Sequence, residues 1–553
     1  MRRVASLLTW LTRAGILVVA VPLLALQLVL YLVVASFVAV LASWLLIALL
    51  TGDAVGTAWW HDPLLLLVVL VACLVAAHAW SERTGVPLPW HPRAPGDSHG
   101  SARFATDAER RALQTDRGLL IGRDARTGRL LRYDGPAHLL TLAPTRSGKG
   151  VGTVIPNLLL VPRSVLCIDP KGENARVTHA ARARFGPVHV LDPFGVTGFP
   201  SAAYNPLGRL SPDSPDLGED AASLAEALVV ETAGPGAAGD AHWNEEAKAL
   251  LSGLVMFAVV HEDEDRRTLA TVREYLTLPP DKFRALLGLM QDSAAGGGLV
   301  ARAANRHLGK SDREAAGVLS SAQRHTHFLD SPRIVAATAR SDFAFASLQH
   351  EVASVFLVLP PNRLDAYSRW LRLLVSQALA EIARDAEAAG APGDAPRLSE
   401  PALFLLDEFA ALGRLEAVER AMGLMAGLGL QLWPILQDLS QLRALYGARA
   451  STFVANAGVL QAFGVADFET ARWLSQLMGQ GTTAYETTSH RPGDPPSTSL
   501  HLTGRDLLTP DEVMRLPDHV QLLRVQGRPM IVAARLRYFA DREFQGLHAP
   551  QAR

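Results

Sequence analysis

Residues 139 to 159 read LLTLAPTRSGKGVGTVIPNLL, and no other stretch restricts the fold as tightly. An apolar run, HLLTLA, precedes a loop of small residues with one lysine, PTRSGKG, and a second apolar run, VGTVIPNLLL, follows. The first run predicts a buried strand and the second the start of a helix. A phosphate-binding loop needs this order. Its amides and the helix N-terminus then face the β-phosphate of a nucleotide while Lys149 reaches the β/γ oxygens. Thr145, Arg146, Ser147, Gly148, Lys149, Gly150 and Val151 are the predicted cradle. Two positions depart from G-x-x-x-x-G-K-[ST]: Ala143 takes the first glycine place, and Gly150 stands where a hydroxyl would bind Mg²⁺. The cation is then left to waters, to carboxylates further along, or to Thr153 one turn later. Only five lysines occur in the chain, Lys149, Lys171, Lys248, Lys282 and Lys310, so a lysine kept in this loop points to a need for a compact ammonium.

Carboxylates follow in PALFLLDEFAALGRL. Its apolar run ends in Asp407 and Glu408, as a buried parallel strand does when it delivers acids to the C-terminal edge of a sheet. There Asp407 is the predicted Mg²⁺ ligand, and Glu408 is placed to polarise water for in-line transfer of the γ-phosphoryl group. The segment LQLWPILQDLSQL predicts a neighbouring strand ending at Gln437, an amide placed to sense the γ-phosphate or orient water. SVLCIDPKGENA repeats the strand-then-acid design with Asp169, Lys171 and Glu173, which topology puts near the site without assigning a role.

Two apolar stretches lie upstream. No charged residue occurs from Ala14 through Gly52 or from Pro63 through Ser81, and each stretch reaches the ~18–20 residues of a spanning helix. Arg2, Arg3 and Arg13 precede the first and Arg83 and Arg93 follow the second, while the segment between holds Asp53 and Asp62 and no Lys or Arg. The positive-inside rule then puts both ends in the cytoplasm and predicts two crossings. Two cysteines, Cys73 and Cys167, leave no disulfide framework, which fits a reduced compartment. A formal net charge of −1 excludes a global basic footprint, so any nucleic-acid contact has to be local.

The predicted fold is α/β, with residues 1–82 as a membrane anchor, 83–206 and 341–553 as two parts of a nucleotide-binding domain, and 207–340 as an all-α insertion. The insertion is read from Ala/Leu-rich sequence with charges at helical spacing, broken by AGPGAAGDAH and AAGGGL. His325 and His327 lack a cysteine or carboxylate at ligand spacing, which predicts a solvated or capping role. EAAGAPGDAPRLSEP and SHRPGDPPSTS read as surface loops.

Seven segments in fixed order carry a resemblance: APTRSGKGVGTVIPNLL, CIDPKGEN, LDPF…YNPL, HWNEEAKALLSGL, LFLLDEFAALGRL, ILQDLSQLRALYG and LLTPDEVMRLP. Together they resemble the type IV secretion system coupling proteins, the TraG-type conjugal transfer ATPases, from about Gly100 to the C-terminus. The resemblance implies a RecA-like ATPase domain with an inserted helical lobe, fuelled by ATP and Mg²⁺. It further implies a homohexamer at the bacterial inner membrane, multi-pass and with its bulk in the cytoplasm. Its partners would be the inner-membrane components of the secretion channel, and its cargo a relaxosome with single-stranded DNA or effector proteins. Carried over by position, Lys149 is the phosphate lysine, Asp407 and Glu408 the Walker B pair and Gln437 the motif glutamine, while Gly150 becomes a family trait. Some members place a basic residue about eleven positions before that glutamine. AMGLMAGLGLQLW has none, which leaves Arg146, Arg414 and Arg443 as candidates for an arginine finger. Two other readings fit the same motifs. A DNA pump of the FtsK kind lacks support from a C-terminal winged-helix module or a long Pro/Gln linker, and a docking receptor that binds nucleotide without turnover is opposed by the intact Asp407–Glu408 pair.

Overall fold

Short, fully buried strands of mostly apolar residues are the repeating unit of this chain. His138–Leu142 (β3), Val165–Ile168 (β4), Ser354–Leu357 (β6), Ala402–Leu406 (β7) and Leu430–Leu436 (β8) are buried at every position, as strands covered on both faces must be. A computed structural model describes residues 97–230, 237–388, 397–424, 427–489 and 497–549, and the single residue 75. Apart from Val75, both apolar stretches predicted to cross a membrane fall outside the described residues, and among those described no helix is long and apolar enough to do so.

Two compact units divide the chain, residues 100–481 with 503–553 and residues 1–99 with 482–502. In the first, an eleven-stranded sheet runs β2-β1-β13-β12-β9-β3-β8-β7-β4-β6-β5. Its further strands are Leu119–Asp124 (β1), Leu130–Tyr133 (β2), Val188–Leu191 (β5), Ala457–Ala462 (β9), Val520–Val525 (β12) and Ile531–Ala534 (β13). From β9 to β5 every pairing is parallel, whereas β12, β13, β1 and β2 extend the sheet through antiparallel pairings. Parallel strands need crossovers, and the helices that supply them cover the faces.

Register decides which side chains share an edge. Leu142 pairs with Leu436 and Ile168 pairs with Leu406. The next residues along, Ala143 beside Gln437 and Asp169 beside Asp407, therefore leave the sheet side by side. Ligands of open α/β sheets bind outside this carboxyl edge.

Between β5 and β6 the chain leaves the sheet and builds a helical lobe, with helices from Leu217–Leu228 through Pro332–Thr338. Its centre is the helix Ala237–His261, where Ala247, Leu251, Leu254, Val255 and Ala258 are fully buried. Leu251, Leu254 and Val255 each contribute at most about 1.5–3 kcal/mol. The AAGGGL break is a kink, with Gly296, Gly297 and Gly298 in left-handed backbone at the start of the helix Ala295–Leu308.

Two expectations need correction. His325 is buried, not solvated: its Nε2 lies 3.0 Å from Asn244 Oδ1 and its Nδ1 accepts from the Val230 amide at 3.5 Å. Burial, followed by the charges of Arg369, Arg324, Arg372 and Lys248, pushes it down to about 3, so it stays a neutral hydrogen-bonding group. The other correction concerns SHRPGDPPSTS. Its described ends belong to strands Gln480–Ser489 (β10) and Ser497–Asp506 (β11), which form a separate two-stranded sheet; residues 490–496 lie outside the described residues. In the loop EAAGAPGDAPRLSEP, residues 389–396 likewise lie outside them.

Candidate nucleotide site

Residue Ala143, the first of the phosphate loop, donates its amide to the Leu436 carbonyl at 2.8 Å, which ties the loop's start to the end of β8. Ser147 closes a tight turn on Pro144, its Oγ donating to the Pro144 carbonyl at 2.6 Å. Arg146 (φ 64°) and Gly148 (φ 81°) adopt left-handed backbone, which folds the loop over. Gly150–Val154 then form one π turn before the helix Ile155–Leu160, a geometry that concentrates at functional sites. A Cβ at Gly150 would meet nothing nearer than Asn174 Oδ1 at 3.9 Å, so packing does not demand glycine there.

Thr153 does not supply the missing hydroxyl. It is buried, and its Oγ1 donates to Gln461 Oε1 at 3.1 Å. The same oxygen accepts from Thr141 Oγ1 at 2.8 Å, Trp433 Nε1 donates to Thr141 Oγ1 at 2.8 Å, and Gln461 Nε2 donates to Gln521 Oε1 at 2.6 Å. This buried network locks the loop's helix to β3, β8, β9 and β12. Such networks are rigid when every member is satisfied.

Lys149 spans to the carboxylates. Its Nζ donates to Glu408 Oε1 at 2.6 Å and lies 3.2 Å from Asp407 Oδ1, although the partners are 259 residues apart in sequence. Burial alone would depress the ammonium, but the charges of Asp407 and then Glu408 outweigh it and raise its pKa above the ordinary lysine value. Asp407 behaves differently. Burial lifts its carboxyl above the usual range, against the pull of Lys149 and reinforced by the charge of Glu408. Gln437 Nε2 donates to Glu408 Oε2 at 3.3 Å, and Glu408 itself sits in left-handed backbone at φ 51°, a conformation that costs a non-glycine residue about 1–2 kcal/mol. Arg372 braces the turn beyond, with Nη1 donating to the Leu412 and Arg414 carbonyls at 2.6 Å each.

The second acidic motif resolves into a cap. Asp169 Oδ2 accepts from the Ala175 amide at 2.8 Å and so holds the helix Glu173–Arg182 against β4. Burial pushes its carboxyl up to about 6, against the amides of Ala175 and Asn174, and the Asp407 charge adds to the rise. Lys171 is exposed, and Glu173 lies half-buried in the helix's first turn. Of the finger candidates, Arg146 and Arg443 are exposed and Arg414 pairs with Glu416 of its own chain at 3.1 Å.

A family model described as type IV secretory system conjugative DNA transfer matches residues 104–552. The chain belongs to this family. Conjugal transfer protein TraG of Escherichia coli is 31% identical over 446 residues, covering 75% of this chain and 69% of TraG. Protein VirD4 of Agrobacterium fabrum is 29% identical over 478 residues, covering 82% of this chain and 67% of VirD4. Among solved structures, the bacterial conjugative coupling protein TrwBdeltaN70 in an unbound form superposes with a TM-score of 0.60 at 17% identity, covering 78% of this chain and 92% of that one. Plasmid coupling protein TrwB in complex with ADP and Mg²⁺ gives 0.58 at 17% identity, covering 78% and 93%. The fold is therefore the α/β RecA-like ATPase fold. The chain is a type IV coupling protein of the TraG type, an ATPase that links substrates to the secretion channel.

One residue at the site carries no sequence motif. Arg535 follows β13 and donates from Nη2 to the Ser147 carbonyl. Nothing in the surrounding sequence, VAARLRYF, distinguishes it from the many other arginines of the chain.

Proposed function

We propose that the residues gathered at this edge bind and hydrolyse ATP with Mg²⁺ to drive cargo into the secretion channel. The reading is carried by one observation: Lys149 lies within 3.2 Å of both Asp407 and Glu408, with Gln437 on the far oxygen of Glu408. Thr145, Arg146, Ser147, Gly148, Gly150 and Val151 supply the loop around the phosphates, and Lys149 neutralises the β/γ oxygens. Asp407 suits a hard divalent cation, because a buried carboxylate with a raised pKa gains from a dication what it loses by desolvation. Mg²⁺ bound there would neutralise charge on the phosphate oxygens. Glu408, the more exposed of the two acids, orients and polarises the attacking water, and Gln437 holds the Glu408 carboxylate in place for that task.

The assembled protein is a homohexamer held in the bacterial inner membrane by two spanning helices from residues 1–82, and it delivers conjugative DNA with its bound proteins. Support comes from the charge-free stretches, the arginine bias around them and the description of the matching family. Phosphate release by the purified full chain, with and without single-stranded DNA, tests the motor and the cargo together. Turnover that rises with DNA and disappears in Lys149→Ala is the expected result. Turnover indifferent to DNA would point to protein cargo, and wild-type protein without turnover would overturn the motor.

A further inference from the structure

Arg535 is held on several sides. Its Nη1 donates to the Asp518 carbonyl at 2.6 Å, its backbone amide donates to the His519 carbonyl at 2.9 Å, and its guanidinium carbon lies 4.3 Å from the centroid of the Phe463 ring. Stacking on an aromatic face fixes the plane of a guanidinium and so the direction of its donors. Here one of those donors meets the carbonyl of Ser147, inside the phosphate loop.

The loop is shaped to this contact. Gly148 has φ 81°, a backbone that strains any side chain, and a Cβ there would lie 2.5 Å from Arg535 Nη2, so the guanidinium would have to move off the turn to admit one. On the Phe463 side, a Cβ at Gly464 would lie 3.0 Å from Ser147 Cβ, which brings that segment against the same turn. A trans peptide holds its C=O and N–H on opposite sides. With the Ser147 carbonyl drawn to Arg535, the Gly148 N–H points away from Arg535, free of the contact that anchors its peptide. Amides of such a loop are the groups that receive the phosphates.

We infer that Arg535 is a positioning residue for nucleotide binding, which sets the Ser147–Gly148 peptide so that the Gly148 amide is presented to the phosphates. The inference rests on the reading of residues 145–151 as the phosphate cradle. Arg535 touches the loop through a backbone carbonyl and acts on binding more than on the chemical step.

The test uses the full chain and two readouts, the affinity of a fluorescent ATP analogue and the separate KM and kcat of phosphate release. Arg535→Ala is expected to weaken analogue binding and raise KM about ten- to hundredfold, with kcat at saturation within about threefold of wild type. Arg535→Lys restores part of the affinity, since an ammonium reaches the Ser147 carbonyl without the planar fork. Phe463→Leu, which leaves the arginine and removes its platform, gives an intermediate KM and serves if Arg535→Ala does not fold. An unchanged KM in the Arg535 variants, or a fall in kcat alone, overturns the inference. Lys149→Ala run in parallel separates the causes: if it binds and turns over nucleotide normally, the cradle reading fails, and if it is impaired while the Arg535 variants are normal, only the role of Arg535 fails.

Discussion

Lys149 in the phosphate loop and Lys310 in the helical lobe are covered to the same degree, with side chains 12% and 11% exposed, and each lies between two carboxylates. Lys310 is 2.8 Å from Glu246 and 3.0 Å from Glu314, while Glu246 also receives Arg306 at 2.6 Å. The acids respond in opposite ways. Glu246 is held down at about 2, first by its hydrogen bond to Arg306 and then, against burial, by Lys310, whereas burial wins at Asp407 and lifts its carboxyl. Ionising Glu246 therefore stabilises the fold, and ionising Asp407 costs it. The lobe uses its lysine as a clasp between helices. At the sheet edge the same chemistry maintains a charge the fold would be more stable without, which is the mark of a group kept for binding or catalysis.

Paired substitutions probe this contrast most strongly. Lys149→Ala is expected to lower phosphate release by about a thousandfold or more, while Lys310→Ala leaves turnover within about twofold and loses about 1–3 kcal/mol in urea unfolding. Equal losses of turnover in both variants would erase the distinction. Next in size, Glu408→Gln should cut turnover about 10²- to 10⁴-fold while the affinity for an ATP analogue changes only a few-fold, since the amide keeps the size of the side chain. Loss of affinity in step with turnover would instead make Glu408 a binding residue.

For the lobe, Glu246→Gln is expected to cost about 1–2 kcal/mol near neutral pH. The sign with pH follows from a folded pKa of about 2 below the ordinary value of 4.5: the contribution is full above 4.5 and disappears as pH falls through 2. Urea midpoints for both proteins across that range check it, and a difference that grows on acidification would reverse the assignment. Asp407 has the opposite sign, its cost present at neutral pH and absent below 3.8. The smallest effect is expected from Gly150→Ser, whose Cβ would make only an ordinary contact with Asn174 Oδ1 and which should change turnover less than about threefold; a large loss would show that the π turn itself requires glycine.

Much of this was legible in the sequence because it is local. Short apolar runs ending in an acid or an amide declare both a buried parallel strand and the side chain at its end, so β4, β7 and β8 and the residues that follow them could be read directly. What escaped depends on contacts between distant segments. Thr153 reads as a hydroxyl one turn past the lysine, but Gln461, 308 residues on, takes it up. His325 reads as a polar residue on a charged helix until Asn244 buries it, and Arg535 becomes visible only when β13 lies beside the loop it touches, 388 residues earlier. Strands β10 and β11 were hidden because both are polar and the sequence between them, HRPGDPP, carries Pro and Gly.

The antiparallel flank of the sheet has a mechanical meaning. The chain after residue 100 enters it as β1 and β2, and residues 520–534 return to it as β12 and β13, which join that entry to β9 beside the phosphate strand. Hydrogen bonds in an antiparallel ladder lie across the strands, so a pull along them loads the bonds of each pair together rather than one after another. The flank is joined to the phosphate strand twice, by the four residues between β2 and β3 and by the ladders β1 on β13, β13 on β12, β12 on β9 and β9 on β3. The flank is a strap with two attachments, and the phosphate loop follows the strand that both of them hold.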